Sequence, residues 1–114
     1  MHEVSIISSI IETVTLQCER DGYTKINSIR LRIGKASHIS PDSLQFAFEA
    51  IKKNTLAETA SLDIETVPIA ARCDICHHEF TTHVTFIYNC PSCSSPSFTI
   101  INGQEMEIVD MEVD

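Results

Sequence analysis

What this 114-residue chain lacks narrows its possible roles before any motif is read. It has no tryptophan, and aromatic residues make up only 6% of it. With 43% hydrophobic residues it can fill a modest core but not a deep substrate cavity. It has no window of about 20 uncharged apolar residues, so a membrane-spanning helix is not expected. The opening Met1-His2-Glu3 has neither the basic segment nor the apolar core of a secretory signal, which makes the cytoplasm the expected compartment. In that reducing environment paired cysteines bind metal more often than they form disulfides. There is also no phosphate-binding glycine loop and no Cys–His nucleophile pairing, so an enzyme is not expected.

Positive charge is missing from the second part of the chain. All eight Lys and Arg residues lie at or before Arg72. From Cys73 to Asp114 there are seven acids (Asp74, Glu79, Glu105, Glu107, Asp110, Glu112 and Asp114), which carry −7 of the total −8. Four thiolates on one zinc would add about −2 there. Such a surface repels phosphate, and nucleic acid is not an expected partner. It suits a cationic ligand or a basic protein partner; the plainer reading is a solvated acidic tail.

The apolar pattern predicts two helices and several strands. Val4, Ile7, Ile11, Val14 and Cys18 recur at helical spacing, widened by Ile6 and Ile10, which predicts a helix over 3–20 ended by Asp21-Gly22. Cys18 falls on its apolar face, where a buried, inert thiol is expected. Ile29, Leu31 and Ile33 alternate with Arg30 and Arg32 as a half-buried strand closed by Gly34. Ser40-Pro41-Asp42 reads as a helix start, with a capping hydroxyl, proline at the first position and an acid facing the dipole. Leu44, Ala47, Phe48 and Ile51 supply that helix's buried face. Leu62, Ile64 and Thr66 form a second strand stopped by Pro68. In the last strand Met106 and Ile108 are out of phase with Val109, Met111 and Val113, so a bulge is expected near Val109. His38 reads as a loop residue. The expected fold class is α+β, with two helices packed on a small mixed β-sheet and an inserted four-cysteine, zinc-ribbon-like module. The expected division is an α/β domain over 1–70 plus 98–114 and a zinc-binding module over 71–97.

The chemistry is concentrated in Cys73-x2-Cys76 and Cys90-x2-Cys93. Each pair lets two sulfurs converge from one turn, and two facing turns complete a tetrahedron around Zn(II). Four soft thiolates leave no open position, so the expected site is structural; two disulfides or an iron centre are the alternatives. Taken alone, the module also fits a zinc-ribbon adaptor for protein or nucleic acid, with no nickel transfer. Phe80, Phe86, Ile87 and Tyr88 are expected to form a hairpin between the two pairs. His77, His78 and His83 lie inside the module and read as solvated or sheet-edge residues. At the other end, the Met1 amine, the His2 amide and the His2 imidazole can close adjacent chelate rings around one ion. Three coplanar nitrogens with a fourth donor, from Glu3 or elsewhere, suit square-planar Ni(II) or Cu(II). A solvent-exposed His2 with no ion is the plainer reading of those residues alone.

Met1-His2-Glu3, the Val4–Val14 helix, the Ile29–Gly34 strand and Cys-x2-Cys-x13-Cys-Pro-x-Cys together resemble the HypA/HybF family. Ser43-Leu44-x-Phe46-x-Phe48 and Gly103-x-Glu105-Met106 extend the resemblance over nearly the whole chain. It implies a nickel metallochaperone for [NiFe]-hydrogenase maturation, with urease served in some members. It further implies a nickel site formed by Met1, His2 and Glu3 and a structural zinc at Cys73, Cys76, Cys90 and Cys93. The implied partners are the HypB GTPase, the hydrogenase large subunit and, where urease is served, urease accessory proteins. The oligomeric state stays open between a monomer and an edge-paired or strand-swapped homodimer. In some relatives a histidine beside the cysteines exchanges with a thiolate at acidic pH, and His78 is the candidate here. Many members carry glycine just after each Cys-x2-Cys pair. This chain has His77 and Ser94 there, so more strained turns are expected.

Overall fold

The computed structural model describes residues 3–84 and 86–114. The elements run helix α1 (Glu3–Asp21), strand β1 (Ile26–Gly34), helix α2 (Pro41–Ile51), then strands β2 (Ser61–Val67), β3 (Ile69–Cys73), β4 (Glu79–Thr82), β5 (Phe98–Asn102) and β6 (Met106–Val113). A single 3-10 turn, Lys35–Ser37, follows β1. Two helices with small mixed sheets make this the expected α+β class. No described helix is long and apolar enough to cross a membrane.

Helix α1 buries Ile6, Ile7, Ile11, Val14 and Cys18, the predicted stripe. It stops where Gly22 takes a positive φ of 82°. Tyr23 then donates its N–H to the Cys18 carbonyl at 2.8 Å and Gly22 donates to Glu19 at 3.4 Å, a Schellman closure. Burial pushes the Cys18 thiol pKa up, which keeps it an unreactive core group. Helix α2 begins as its sequence predicts. The Ser40 hydroxyl accepts the Ser43 N–H at 3.2 Å, and Pro41 fills the first position, where no N–H is needed. It buries Leu44, Ala47 and Phe48, and the two helices pack together.

One sheet has the order β2-β1-β6. Lys25 and Asp114 exchange both backbone hydrogen bonds, at 3.3 and 2.8 Å, the antiparallel pattern, at one end of the β1–β6 pair. Farther along, Ser28 donates to Glu112 at 3.3 Å and Arg30 lies 3.6 Å from Asp110. The bulge expected near Val109 is not needed. Val109, Met111 and Val113 alternate as half-buried residues, while Met106 and Ile108 lie on the exposed face. The change of phase falls in β1, where Ile26 and Ile29 are both fully buried with two residues between them.

The other sheet has the order β4-β3-β5. Strand β3 pairs antiparallel with β4 from Ile69↔Thr82 to Arg72↔Glu79, and with β5 through Cys73↔Phe98. The register shifts between Ala70 and Ala71. The hairpin expected among Phe80, Phe86, Ile87 and Tyr88 is therefore corrected. Phe80 pairs back onto Ala71 across the first cysteine turn, and residues 86–88 lie in no strand. The turn itself explains this, because β3 runs directly into Cys73 and the chain returns along it after His78.

Two glycines allow a close backbone approach in this part of the chain. A Cβ on Gly34 would overlap the Gly103 carbonyl. Gly103, at φ 108°, would bring a Cβ to 2.8 Å from the Ile69 Cα. The Gly34 N–H reaches the Glu105 carbonyl at 2.7 Å, and the Glu105 carboxylate accepts the Gly103 N–H at 2.8 Å. The Gly-x-Glu sequence is thus a turn closed by its own side chain.

By contacts the chain divides into two compact units. The first is Met1–Leu31, Ile39–Glu65 and Glu107–Asp114; the second is Arg32–His38 and Thr66–Met106.

Candidate metal centre

The four cysteines form two near-identical turns in the second unit. The His77 N–H donates to the Cys73 carbonyl at 3.1 Å, and Ser94 does the same to Cys90 at 2.8 Å. The return segments close alike: Cys73 N–H reaches the His78 carbonyl at 2.9 Å, and Cys90 N–H reaches that of Ser95 at 2.8 Å. His77 and Ser94 each sit at φ 64°, the left-handed region that favours glycine. The strain expected from their replacing glycine is therefore real backbone geometry at both positions.

All four sulfurs lie within 4.8 Å of one another. Cys73 and Cys93 are 3.5 Å apart, and Cys76 and Cys90 are 3.7 Å apart. A tetrahedron with Zn–S of about 2.3 Å has edges of about 3.8 Å, so the cage already has the size of a zinc site. Backbone N–H groups point at the sulfurs as well. Ile75 and Cys76 donate to Cys73 at 3.4 Å each, and Ser92 donates to Cys90 at 3.3 Å. These bonds favour thiolate; the Cys76 N–H is the largest cause holding the Cys73 thiol down at about 6. Cys93 also receives a favourable N–H, from Ser95, but the Cys73 thiol, burial and the other two thiols push it up to about 12. Four sulfurs this close cannot all ionise against one another, and a bound dication is what deprotonates the whole set. Cys73 and Cys90 are buried and Cys76 and Cys93 exposed, so the cage has one inner and one outer edge. The residues present fit a structural metal such as zinc.

Asp74 is a site residue that sequence reading counted only as charge. Its Oδ2 accepts the Ser97 hydroxyl at 2.8 Å, its Oδ1 accepts the Thr99 hydroxyl at 2.8 Å, and its N–H reaches the Ser97 carbonyl at 3.0 Å. The two hydroxyls, Thr99 first, hold its carboxyl below the usual carboxylate range. Both oxygens thus tie the first cysteine turn to β5 and the residue before it. No local signal could have revealed this, because the partners lie 23 and 25 residues away.

The histidines have separate places. His78 stacks on Phe80, with ring centroids 6.2 Å apart. The His83 carbonyl accepts a hydrogen bond from the Lys35 ammonium at 2.8 Å. His38, expected to be a simple loop residue, closes the 3-10 turn at φ 60° and packs 5.1 Å from the Phe86 ring. At the other candidate site, Met1 and His2 lie outside the described residues. Glu3 opens α1 in its first turn. It borders a surface groove of about 360 Å³ shared with Val4, Asp42, Ser43, Phe46 and Ala47.

Fold and site together define a small α+β protein with one closed four-sulfur metal centre, built to hold structure rather than to turn over a substrate. A family model described as "Hydrogenase/urease nickel incorporation, metallochaperone, hypA" matches residues 1–113. The hydrogenase maturation factor HypA of Picosynechococcus sp. is 44% identical, with 99% of each chain covered. That of Chlorobium limicola is 38% identical over 100% of this chain and 97% of its own. The solution structure of the Ni metallochaperone HypA from Helicobacter pylori superposes with a TM-score of 0.65 at 27% identity, covering 99% of this chain and 97% of that one. This chain belongs to the HypA family, the metallochaperones of nickel incorporation in hydrogenase maturation.

Proposed function

We propose that this chain carries Ni(II) at its N-terminus and delivers it, in the cytoplasm, to the large subunit of [NiFe]-hydrogenase, acting with the HypB GTPase. The Met1 amine, the His2 amide and imidazole nitrogens and the Glu3 carboxylate are the proposed nickel donors. Three nitrogens in adjacent chelate rings impose a square plane, which selects Ni(II) from ions that prefer tetrahedra. The observation that carries this reading is the family match over residues 1–113 of a chain opening Met1-His2-Glu3, with Glu3 in the first turn of α1. A cargo site made of few donors exchanges ligands readily, whereas four thiolates in a closed cage do not. Nickel is thus the cargo, and Zn(II) at Cys73, Cys76, Cys90 and Cys93 is the resident structural ion. On this reading residues 1–70 with 98–114 carry the nickel function and the insert 71–97 carries the zinc. The chain performs no catalytic step of its own; urease accessory proteins are further candidate recipients, and an edge-paired homodimer a candidate assembly.

The test is a Ni(II) titration of zinc-loaded protein, followed by calorimetry and absorption. His2→Ala is expected to abolish the square-planar absorption and weaken nickel binding by roughly a hundredfold or more, with zinc content unchanged. A variant with two residues added before Met1, which moves the amine and keeps every side chain, is expected to behave the same way. Undiminished nickel binding in both variants would place the site elsewhere and overturn the assignment.

A further inference from the structure

Strand β4 is an edge: it pairs with β3 and with no other described strand. An edge strand leaves every second residue's N–H and C=O without a ladder partner. Phe80, Thr81 and Thr82 of β4 form one wall of a groove of about 300 Å³, and Phe86, Tyr88 and Pro91 contribute the other. Among the described residues no backbone hydrogen bond joins β4 to segment 86–91. The second wall is aromatic and open to solvent, with Phe86 61% and Tyr88 81% exposed. Its rings are nevertheless ordered. Phe86 is stacked between Tyr88, at 6.5 Å, and His38, at 5.1 Å, and Lys35 holds the nearby His83 carbonyl. Exposed aromatic rings fixed in advance are what a binding anchor needs, since their ordering entropy is already spent.

The groove lining carries no charged side chain. Around it, the Lys35 ammonium is engaged at His83, and Glu79 stands opposite Arg72 in the β3–β4 register. From Cys73 to the end of the chain there is no Lys or Arg, and the sulfur cage borders the groove at Cys90, next to Pro91. The residual field disfavours an acidic ligand and favours a basic one.

The geometry points to a docking site for an extended, basic segment of a partner protein, which adds to the free edge of β4 and seats an apolar side chain against the Phe86–Tyr88 pair. Backbone pairing along β4 supplies the affinity. The aromatic wall and the missing positive charge supply the selectivity, for apolar residues alternating with Lys or Arg. This site is independent of the nickel reading and is tested on nickel-free protein.

The experiment selects a random heptapeptide display library on the full zinc-loaded chain, with counter-selection on a Phe86→Ser, Tyr88→Ser double variant. Both rings are exposed, so the variant is expected to keep its fold; an unchanged zinc content checks this. Enriched peptides are expected to alternate apolar residues with Lys or Arg and to be poor in Asp and Glu. A synthetic enriched peptide should shift the amide resonances of Glu79–Thr82, bind the double variant roughly tenfold more weakly, and lose binding when its alternate amides are N-methylated. Failure to enrich above the counter-selected variant, acidic enriched sequences, or shifts that spare β4 would each overturn the proposal. So would concentration-dependent self-association of the chain through the same amides, which would make the occupant a second copy.

Discussion

Among the described residues, fourteen of the nineteen buried apolar ones belong to the first compact unit, including Ile7, Phe48, Leu44 and Ile29, and none is more than 7% exposed. The second unit has the other five, Ile33, Ile69, Ala71, Cys73 and Cys90, and two of those are sulfur donors. The first unit is an ordinary apolar core, in which water expels side chains from two helices and strand faces. The second has too little apolar surface to fold on that ground alone, and a metal bound by four sulfurs takes the place of a core. One short chain thus uses two different stabilising forces, and each can be removed separately.

The largest effect is expected from the metal. Binding of a structural zinc is worth on the order of 10 kcal/mol or more in small modules. Cys90→Ala, or a strong chelator, should therefore release zinc and abolish amide protection over Thr66–Met106. Amides of α1 and α2 should stay protected, as read by hydrogen exchange. Acid should act in the same direction, because protons compete with zinc for the thiolates, and loss of zinc should be steeper than a one-proton titration. A second unit that stayed protected without zinc would break the comparison.

The converse experiment is Phe48→Ala. Phe48 is fully buried, and truncating such a ring costs about 3–5 kcal/mol. Urea unfolding followed at α-helical signal should show that loss with zinc content unchanged. Zinc lost at the same urea concentration as the helices would mean that the two regions unfold as one.

Asp74 sharpens the comparison within the second unit. Asp74→Ala removes both side-chain ties that brace the first cysteine turn and should speed zinc release to a competing chelator several-fold, with the folded spectrum retained. The pH dependence follows from the sign of its shift. A carboxyl held lower in the folded protein than in the unfolded chain stabilises fully above the unfolded value of about 3.9. That contribution disappears only as pH falls through the depressed folded value. Asp74→Asn should therefore resemble the parent most closely at the lowest pH and differ most near neutrality.

The smallest effect is expected at the two strained turn positions. Glycine occupies left-handed φ without the Cβ penalty, which is about 1 kcal/mol per residue. His77→Gly and Ser94→Gly should each raise resistance to chelation by roughly that amount and leave the first unit's unfolding unchanged. A loss of zinc affinity in His77→Gly would show instead that the imidazole takes part in holding the metal.

Much of this was legible from the order of residues alone. Helix α1 could be read from its apolar spacing and from Gly22, and the start of α2 from Ser40-Pro41. The four-sulfur set was visible in Cys-x2-Cys spacing, because so short a turn brings both sulfurs to one side. These are local facts, in which the residues that act lie within a few positions of each other. The second sheet was not legible. Strand β3 begins directly after Pro68, a single residue beyond β2, and its partner β4 is four residues long with no strong alternation. Glu79–Thr82 became a strand because the first cysteine turn folds it onto β3, not because of its own preference. The His38 contact with Phe86, the Asp74 clamp and the open edge of β4 depend in the same way on partners distant in sequence.

The sequence by itself therefore determined the two helices, the sulfur cage and its closed, structural character. Helical periodicity and metal-ligand spacing act over a few residues, and no other arrangement satisfies them as well. Only the tertiary structure decided that the cysteine turns are braced by Asp74 against Ser97 and Thr99. It also decided that Gly34 and Gly103 must be glycine for the backbones to meet, and that Phe86 and Tyr88 stand beside a free strand edge. Those outcomes come from packing and hydrogen bonding between segments roughly 20 to 70 residues apart, and such contacts exist only once the chain has closed on itself.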